Sequence, residues 1–279
     1  MRKINTSSIE EKIYNMALHA GVNVTRSCKE ALVCARDKEN GEAAKFALDI
    51  LIENASVAKT ENMPVCQDTG IAVVFLEIGQ EVFLEGKSLK EAVNSGVRRA
   101  YADGYFRKSV CDPITRQNTG DNTPAVIHTE IVDGDKINIA FMPKGFGSEN
   151  MSRLYMLKPA HGIEAAIDAV VETVRLAGSR PCPPVLVGVG IGGTFDTCAL
   201  LAKKALTRDV GVPSTNPAVA EIEKIALSRI NNLNIGCQGF HGDTTALGVA
   251  CETAPTHIAG LPVAVNIQCH CVRCEKRVL

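Results

Sequence analysis

The chain has 279 residues, 46% of them hydrophobic, which is enough to form the core of one large domain or two modest ones. Its 30 basic residues nearly balance 31 acidic ones, so no net field favours nucleic acid or an anionic membrane, and any cationic site must be local. No stretch approaches the roughly 18 apolar residues of a membrane span, and the first residues lack the apolar region of a signal peptide. We therefore expect a cytoplasmic protein without a nucleic-acid or membrane partner.

The predicted elements begin with helices. Ser8 followed by Glu11 fits a capping box, and apolar residues then recur at helical spacing. Further helical patterns cover 25–37 and 41–57, before an unbroken apolar run at 71–76 that predicts a buried strand. Residues 88–103 return to helical periodicity.

The second half of the chain mixes strands and helices. Strand-like alternation at 125–132 and 136–142 surrounds Asp133-Gly134, which predicts a β-hairpin. The remaining predicted elements are a helix at 162–177, a strand at 185–189, helices at 195–207 and 217–231, and strands at 244–251 and 261–268. This order predicts an α+β fold, in which a helical N-terminal part precedes a mixed sheet with a hairpin and flanking helices. We find no repeat or convincing linker, so residues 1–279 are interpreted as a single domain, and a division of that domain into two lobes is left open.

Cysteine is unusually frequent for a chain without a secretory signal. A single cysteine is ordinarily a small buried hydrophobe. In a reducing compartment, however, metal or cluster ligation explains an excess better than disulfides do. The eleven cysteines are Cys28, Cys34, Cys66, Cys111, Cys182, Cys198, Cys237, Cys251, Cys269, Cys271 and Cys274.

One motif contains a candidate metal ligand, and three further segments contain residues that can bind an anion. In PVCQDTG (64–70), a cysteine beside Gln and Asp on a turn can ligate a metal while its neighbours face a substrate; the alternative is a plain turn with Asp as its cap. Arg107 offers a planar fork for a carboxylate, and the glycine-rich segments 118–124 and 144–148 allow backbone to approach an anion. Each piece alone also fits an ordinary surface loop.

Two further motifs leave alternatives open. Cys182 lies among three prolines before Gly188, Gly190 and Gly193, which satisfy the G-x-G-x-x-G pattern of dinucleotide-binding proteins. We reject that interpretation because the segment 209–213 is too short and broken for the required second strand. At the other end of the chain, 269–274 forms C-x-C-x-x-C, which suits a self-contained zinc or cluster site, although zinc sites usually combine two half-sites.

Taken together and in order, the motifs PVCQDTG, FRKSV, NTGDNTPA, KGFGS, RPCPP with GVGIGG, GDTTALGV and VAVNIQC resemble the class I fumarate hydratase family, including its tartrate dehydratase branch. The chain is similar to the α subunit of the two-subunit form over nearly all its length. The resemblance implies a [4Fe-4S] cluster held by Cys66, Cys182 and Cys269, between segments distant in sequence, with one iron open for substrate.

The resemblance also implies the remaining site residues and partners. Asp68 and His257 match catalytic positions, although an isolated His257 would more simply be a core histidine. The expected substrate-binding residues are Gln67, Arg107, Gly145 and Gly147. A separate β subunit is expected to complete the site for a small dicarboxylate, in an α2β2 assembly. Cys237, Phe240 and His241 depart from the family pattern, as does the tail with Cys271 and Cys274.

The first hypothesis is reversible hydration of fumarate to malate, with tartrate dehydration as the alternative in the same chemistry. A hypothesis from another class is an electron-transfer or redox-sensing iron-sulfur protein built on Cys269, Cys271 and Cys274. Four cysteine ligands would favour electron transfer, whereas an open iron would favour the hydro-lyase.

Overall fold

The computed structural model describes residues 1–279 and combines eight α-helices with ten β-strands. The helices are α1 (Thr6–Val22), α2 (Arg26–Lys38), α3 (Glu42–Thr60), α4 (Leu89–Asp103), α5 (Phe146–Glu149), α6 (Gly162–Ala177), α7 (Phe195–Ala205) and α8 (Pro217–Asn231). The strands are β1 (Arg2–Asn5), β2 (Ile71–Gly79), β3 (Val82–Glu85), β4 (Val126–Val132), β5 (Ile137–Lys144), β6 (Arg153–Leu157), β7 (Val185–Gly192), β8 (Ala246–Ala254), β9 (Leu261–Gln268) and β10 (Glu275–Val278). The predicted mixture of α and β structure is confirmed. None of the helices combines the length and the hydropathy needed to cross a bilayer.

The chain forms two compact units, each assembled from segments that are distant in sequence. Unit 1 comprises Met1–Thr25, Asn54–Phe146 and Arg273–Leu279, and unit 2 comprises Arg26–Glu53 and Gly147–Val272. Each unit has its own main sheet and its own apolar core.

Unit 1 is built on a four-stranded sheet with the order β10-β5-β2-β4. Strand β2 is parallel to β4 and antiparallel to β5, and β10 is antiparallel to β5. Alternate residues of β2, such as Val74 and Leu76, share one core with Ile13 of α1 and Val97 of α4. The apolar stripes of these two helices therefore cover one face of the sheet.

The predicted hairpin around Asp133-Gly134 is wrong. Strand β2 lies between β4 and β5, so these consecutive strands are not hydrogen-bonded neighbours. The apolar run of β2 is buried along most of its length and takes the central position, whereas β4 is largely exposed and lies at the edge. The connection 133–136 consequently passes the end of β2, where the Glu81 N–H donates to the Gly134 carbonyl at 3.0 Å.

The capping box predicted at Ser8 is also wrong. Helix α1 begins at Thr6, and the Asn5 side chain accepts a hydrogen bond from the Ser7 N–H at 2.9 Å. Asparagine caps a helix as well as serine does, and Asn5 is the last residue of β1. The cap therefore lies where the strand ends.

Unit 2 contains a four-stranded sheet with the order β6-β9-β7-β8. Strand β9 is antiparallel to β6 and β7, whereas β8 is parallel to β7 and forms an edge. Apolar residues of α6 and α8 pack on the sheet in one core, and α7 packs on β7 and β9.

The alternation of valine and glycine in β7 allows helices to pack on both of its faces. Val187 and Val189 belong to the core with α6 and α8. A Cβ atom on Gly188 would lie 2.2 Å from the Ala202 carbonyl oxygen of α7, and one on Gly190 would meet another α7 carbonyl oxygen at 2.2 Å. These glycines lie inside the strand and permit close approach of α7, so the G-x-G-x-x-G pattern serves packing here.

Candidate active site

The PVCQDTG turn lies between α3 and β2, and hydrogen bonds to its main chain hold it in place. The Val65 N–H donates to the Gly21 carbonyl at 3.0 Å. The hydroxyl of the buried Tyr101 donates to the carbonyls of Thr69 and Gly70 at 2.8 and 3.0 Å. With its main chain fixed, the turn leaves Cys66 and Asp68 half-buried and Gln67 exposed.

Two main-chain N–H groups orient the Asp68 carboxylate. Its Oδ1 accepts from Gly70 at 3.0 Å, and its Oδ2 accepts from Phe146 at 2.8 Å. A Cβ on Gly145 would lie 3.0 Å from Asp68 Oδ2, so a side chain at this position would crowd the carboxylate. The structure thus brings together Asp68 and Gly145, and Gly147 follows as an exposed residue of α5.

Arg107 is joined to the same turn through its main chain. The Thr69 hydroxyl donates to the Arg107 carbonyl at 2.9 Å. Asn122 of the NTGDNTPA motif accepts from the Ser109 N–H at 2.7 Å and donates to the Gly70 carbonyl at 3.1 Å. The guanidinium of Arg107 is exposed and makes no ion pair within the chain, so it can accept a carboxylate from solution.

Sequence reasoning missed two buried cations beside this turn. Arg273 and Lys144 are each 1% exposed. Arg273 Nη2 donates to the Asp68 carbonyl at 2.9 Å, and Lys144 Nζ donates to the Gly145 carbonyl at 3.3 Å. Lys144 opens the KGFGS motif, whose glycines alone were selected, and Arg273 lies between tail cysteines that drew attention to ligation.

In unit 2, the strand register brings Cys182 and Cys269 to the same end of the sheet. Strands β7 and β9 are antiparallel, with Leu186 opposite Gln268. Cys182 shortly precedes β7 and Cys269 directly follows β9, so both lie at that end. The His270 N–H donates to the Cys182 carbonyl at 3.3 Å, which joins the two segments.

Several groups brace these two cysteine segments. The Pro183 carbonyl accepts from the Gln238 main-chain N–H at 2.8 Å and from its Nε2 at 2.7 Å. The Cys28 thiol of α2 donates to the His270 carbonyl at 3.0 Å. Cys182 itself is exposed and has a φ of 55°, a left-handed conformation that the surrounding contacts maintain. The segment around Cys237, which differs from the family pattern, therefore contacts the loop of Cys182 and Pro183 through Gln238.

Within unit 2, the structure does not bring His257 to the end of the sheet that carries Cys182 and Cys269. Strands β7 and β8 are parallel, with Val185 opposite Ala246 and Gly192 opposite Ala254. His257 follows the far end of β8, so the length of β7, about 23 Å for seven rises of about 3.3 Å, lies between the two ends of the sheet. It is exposed, and its Nδ1 accepts from the Ala259 N–H at 3.1 Å, so it is not a core histidine.

The other cysteines divide by burial. Burial raises the pKa of Cys28, Cys237 and Cys251 to about 12 each and that of Cys198 to about 11, so these side chains remain thiols. The chain contains no disulfide and no group of three or more His, Cys, Asp or Glu side chains arranged to hold a metal ion. Cys66, Cys182 and Cys269 are all partly or fully exposed, and Cys182 and Cys269 lie at the same end of the sheet of unit 2.

Comparison with known proteins adds evidence of a different kind. The family model of fumarate hydratase (Fumerase) matches residues 10–278. The chain is 42% identical over 267 residues to a putative L(+)-tartrate dehydratase subunit alpha of Methanocaldococcus jannaschii, with 94% of each chain covered. It is 30% identical over 267 residues to the L(+)-tartrate dehydratase subunit alpha of Escherichia coli K12, with 94% of this chain and 88% of the relative covered. The same values relate it to the subunit of that name in Shigella sonnei.

Proposed function

This chain belongs to the fumarate hydratase (Fumerase) family of hydro-lyases, and from that membership we propose that it is the α subunit of a two-subunit L(+)-tartrate dehydratase. The observation that carries the proposal is the similarity to tartrate dehydratase α subunits, which extends over 94% of this chain. The sequence alone placed fumarate ahead of tartrate, and the names of these relatives favour the reverse order. Hydration of fumarate remains the second candidate because it gives the family its description. The electron-transfer hypothesis loses support, since these relatives are dehydratases.

We propose Cys66, Cys182 and Cys269 as the ligands of a [4Fe-4S] cluster. Their exposure supports this choice, because five of the other eight cysteines are buried; Cys34, Cys111 and Cys274 are also accessible but do not lie in the motifs that carry the resemblance. The contact between the Cys182 and His270 main chains supports the pairing of two of them. When bound, such a cluster supplies a Lewis-acidic iron with an open position for the substrate hydroxyl.

The residues around the PVCQDTG turn would bind and orient the dicarboxylate. Arg107 presents a free guanidinium that can form a bidentate contact with one carboxylate, while Gln67 contributes a neutral donor. The backbone at Gly145 and Gly147 can approach an anion closely. Asp68 is held by two N–H groups and retains further lone pairs, so it can relay the proton of a base.

A separate β subunit is needed to complete this chemistry. Tartrate carries two carboxylates and must lose a C–H proton, yet the motifs of this chain supply one exposed arginine and no convincing base on the far side of the substrate. The relatives are named as alpha subunits, which supports a second polypeptide. We propose that it supplies the second cation and the base.

The position of His257 supports an assembly with more than one copy of this chain. Within unit 2, His257 follows the end of β8 that is opposite to the Cys182 and Cys269 end of the sheet, and the length of β7, about 23 Å, separates the two ends. We propose that His257 serves the site of another copy. An α2β2 assembly provides such a copy.

The proposed activity is tested with chain reconstituted anaerobically, in the presence and absence of its β chain. We expect dehydration of L(+)-tartrate with a higher kcat/KM than hydration of fumarate, and at most trace turnover by the isolated chain. Cys66→Ser, Cys182→Ser and Cys269→Ser should each lose iron and sulfide, whereas Cys34→Ser, at an exposed position of α2, should retain them. Full turnover without the β chain would refute the division of the site.

The role of His257 is tested by mixing two inactive chains, Cys182→Ser and His257→Ala, during assembly with the β chain. If His257 serves another copy, the His257→Ala chain with an intact cluster receives the histidine of the Cys182→Ser chain, and activity returns. If His257 acts within its own chain, no mixed assembly is active. Mixing two preparations of the same variant is the matched control.

A further inference from the structure

Unit 2 contains a cavity of about 420 Å³ along the outer side of strand β8. Its walls are residues 247–250 of that strand, one side of α8 and the loop 209–213. None of the residues proposed above as cluster ligands or substrate contacts lines it. Its volume lies in the range of about 300–1,000 Å³ that is common for small-molecule sites.

Strand β8 is the edge of its sheet, so alternate main-chain groups face away from β7. Cys251 shows the direction: its N–H donates to Glu223 Oε1 at 2.7 Å, and its carbonyl accepts from Arg208 Nη2 at 3.1 Å. Residues two apart on a strand point the same way. The N–H and carbonyl of Val249 therefore also face outward, where this residue lines the cavity.

Two side chains of α8 accept hydrogen bonds from main-chain N–H groups of β8, one on each side of Val249. Glu223 serves Cys251, and Asn231 Oδ1 accepts from the Ala246 N–H at 2.8 Å. The outward main-chain groups of Val249 have no partner within the chain. The edge is thus closed at Ala246 and at Cys251 and is open between them, at the position where the cavity lies.

We propose that this cavity binds a small planar ligand that carries a hydrogen-bond donor beside an acceptor, as the edge of a cyclic amide or nucleobase does. Val249 presents an N–H and a carbonyl side by side, and such an edge would satisfy both. Leu186, Val212 and Leu227 supply apolar walls for a flat ring. Gly248, from the GDTTALGV motif, keeps the space open because it has no side chain.

Two other occupants fit the cavity less well. An added peptide strand needs alternate main-chain pairs over several residues, but Glu223 and Asn231 already occupy the positions on either side of the opening. A dicarboxylate would place acceptor oxygens against the Val249 carbonyl and near Asp209 and Glu223, which outnumber the one cation of the lining, Lys224. The cavity is therefore distinct in chemistry from the proposed substrate site.

Two variants fill the cavity from opposite walls. A Cβ on Gly248 would have its nearest neighbour, Leu186 Cδ1, at 3.5 Å, an ordinary contact, so Gly248→Val should fold with its side chain in the space. Ala220→Leu adds volume from α8. Thr253→Val lies on the exposed part of β8, outside the cavity, and is the matched control.

The probe is uracil, titrated into the full chain by calorimetry and by saturation-transfer NMR, with 1,3-dimethyluracil as the analogue that lacks N–H donors. We expect saturable uracil binding, binding of the dimethyl compound weaker by about tenfold or more, loss in both filling variants and no change in Thr253→Val. Circular dichroism establishes that each variant is folded. The proposal is overturned if uracil does not bind saturably, if both compounds bind equally, or if neither folded filling variant weakens binding. The cluster and the β chain are not needed for this test.

Discussion

Replacement of Tyr101 by Phe tests how firmly the core of unit 1 holds the PVCQDTG turn. The Tyr101 side chain is 1% exposed, and its hydroxyl donates to the Thr69 and Gly70 carbonyls. Asn122 also donates to the Gly70 carbonyl, so loss of the hydroxyl leaves the Thr69 carbonyl as the buried acceptor without a partner. The edge-on contact of the ring with Phe106 remains. One unsatisfied buried acceptor costs about 1–3 kcal/mol, and we expect the free energy of unfolding to fall by that amount.

The measurement is urea unfolding followed by circular dichroism, with Tyr14→Phe as the matched control. The Tyr14 hydroxyl donates to Asp103 Oδ2 at 3.0 Å near the surface, where water can replace the lost partner, so its removal should lower the free energy of unfolding much less than that of Tyr101. Burial raises the pKa of Tyr101 above its ordinary value, so the hydroxyl stays a donor and the difference should not vary around neutral pH. Equal costs for the two variants would refute the argument. Because Asp68 precedes Thr69, the kcat/KM of the Tyr101→Phe assembly should also fall.

Three further predictions address packing, pH and the ligand loop. Gly190→Ala should lower the thermal midpoint, because its Cβ would lie 2.2 Å from a carbonyl oxygen of α7, whereas Gly147→Ala, with nothing within 4 Å, should leave it unchanged. Burial opposes ionisation of Asp121, but hydrogen bonds from its guanidinium, N–H and hydroxyl partners lower its pKa from 3.8 to about 2. The stability it contributes is therefore full above its unfolded pKa and is lost as the pH falls toward 2, and Asp121→Asn should flatten the acid-unfolding curve in that window. Cys28→Ala removes the donor to the His270 carbonyl and should speed iron loss to a chelator, while Cys28→Ser should preserve retention; equal rates in the two variants would exclude a positioning role.

Periodicity predicted the long helices and the apolar strands, because these elements are specified locally by their own burial patterns. It failed where pairing depends on distant partners. Strand β10 has the sequence EKRV, without an apolar pattern, and becomes a strand only by pairing with β5. The hairpin prediction was wrong for the same reason, because β2, which is distant in sequence, pairs with both β4 and β5 and lies between them.

The residues of the candidate site were predicted from motif order, and the structure explains how some of them come close to one another. Strand register explains why Cys182 and Cys269 lie at the same end of the sheet. His257 is close to Cys269 in sequence, yet strand β9 carries the chain across the sheet between them, so sequence proximity was misleading. Arg273 was overlooked because charged side chains are seldom fully buried, and no pattern marks an exception.

The position of β10 also constrains the order of folding during synthesis. This strand completes the sheet of unit 1 by pairing with β5, yet all of β6 to β9 is translated between the two. At elongation rates of about 5–20 residues per second, β10 is synthesised on the order of ten seconds after β5. During that interval one side of β5 is an unpaired edge, while unit 2 can already collect all its strands. The nascent sheet of unit 1 is thus the part of the chain most in need of protection from aggregation before release from the ribosome.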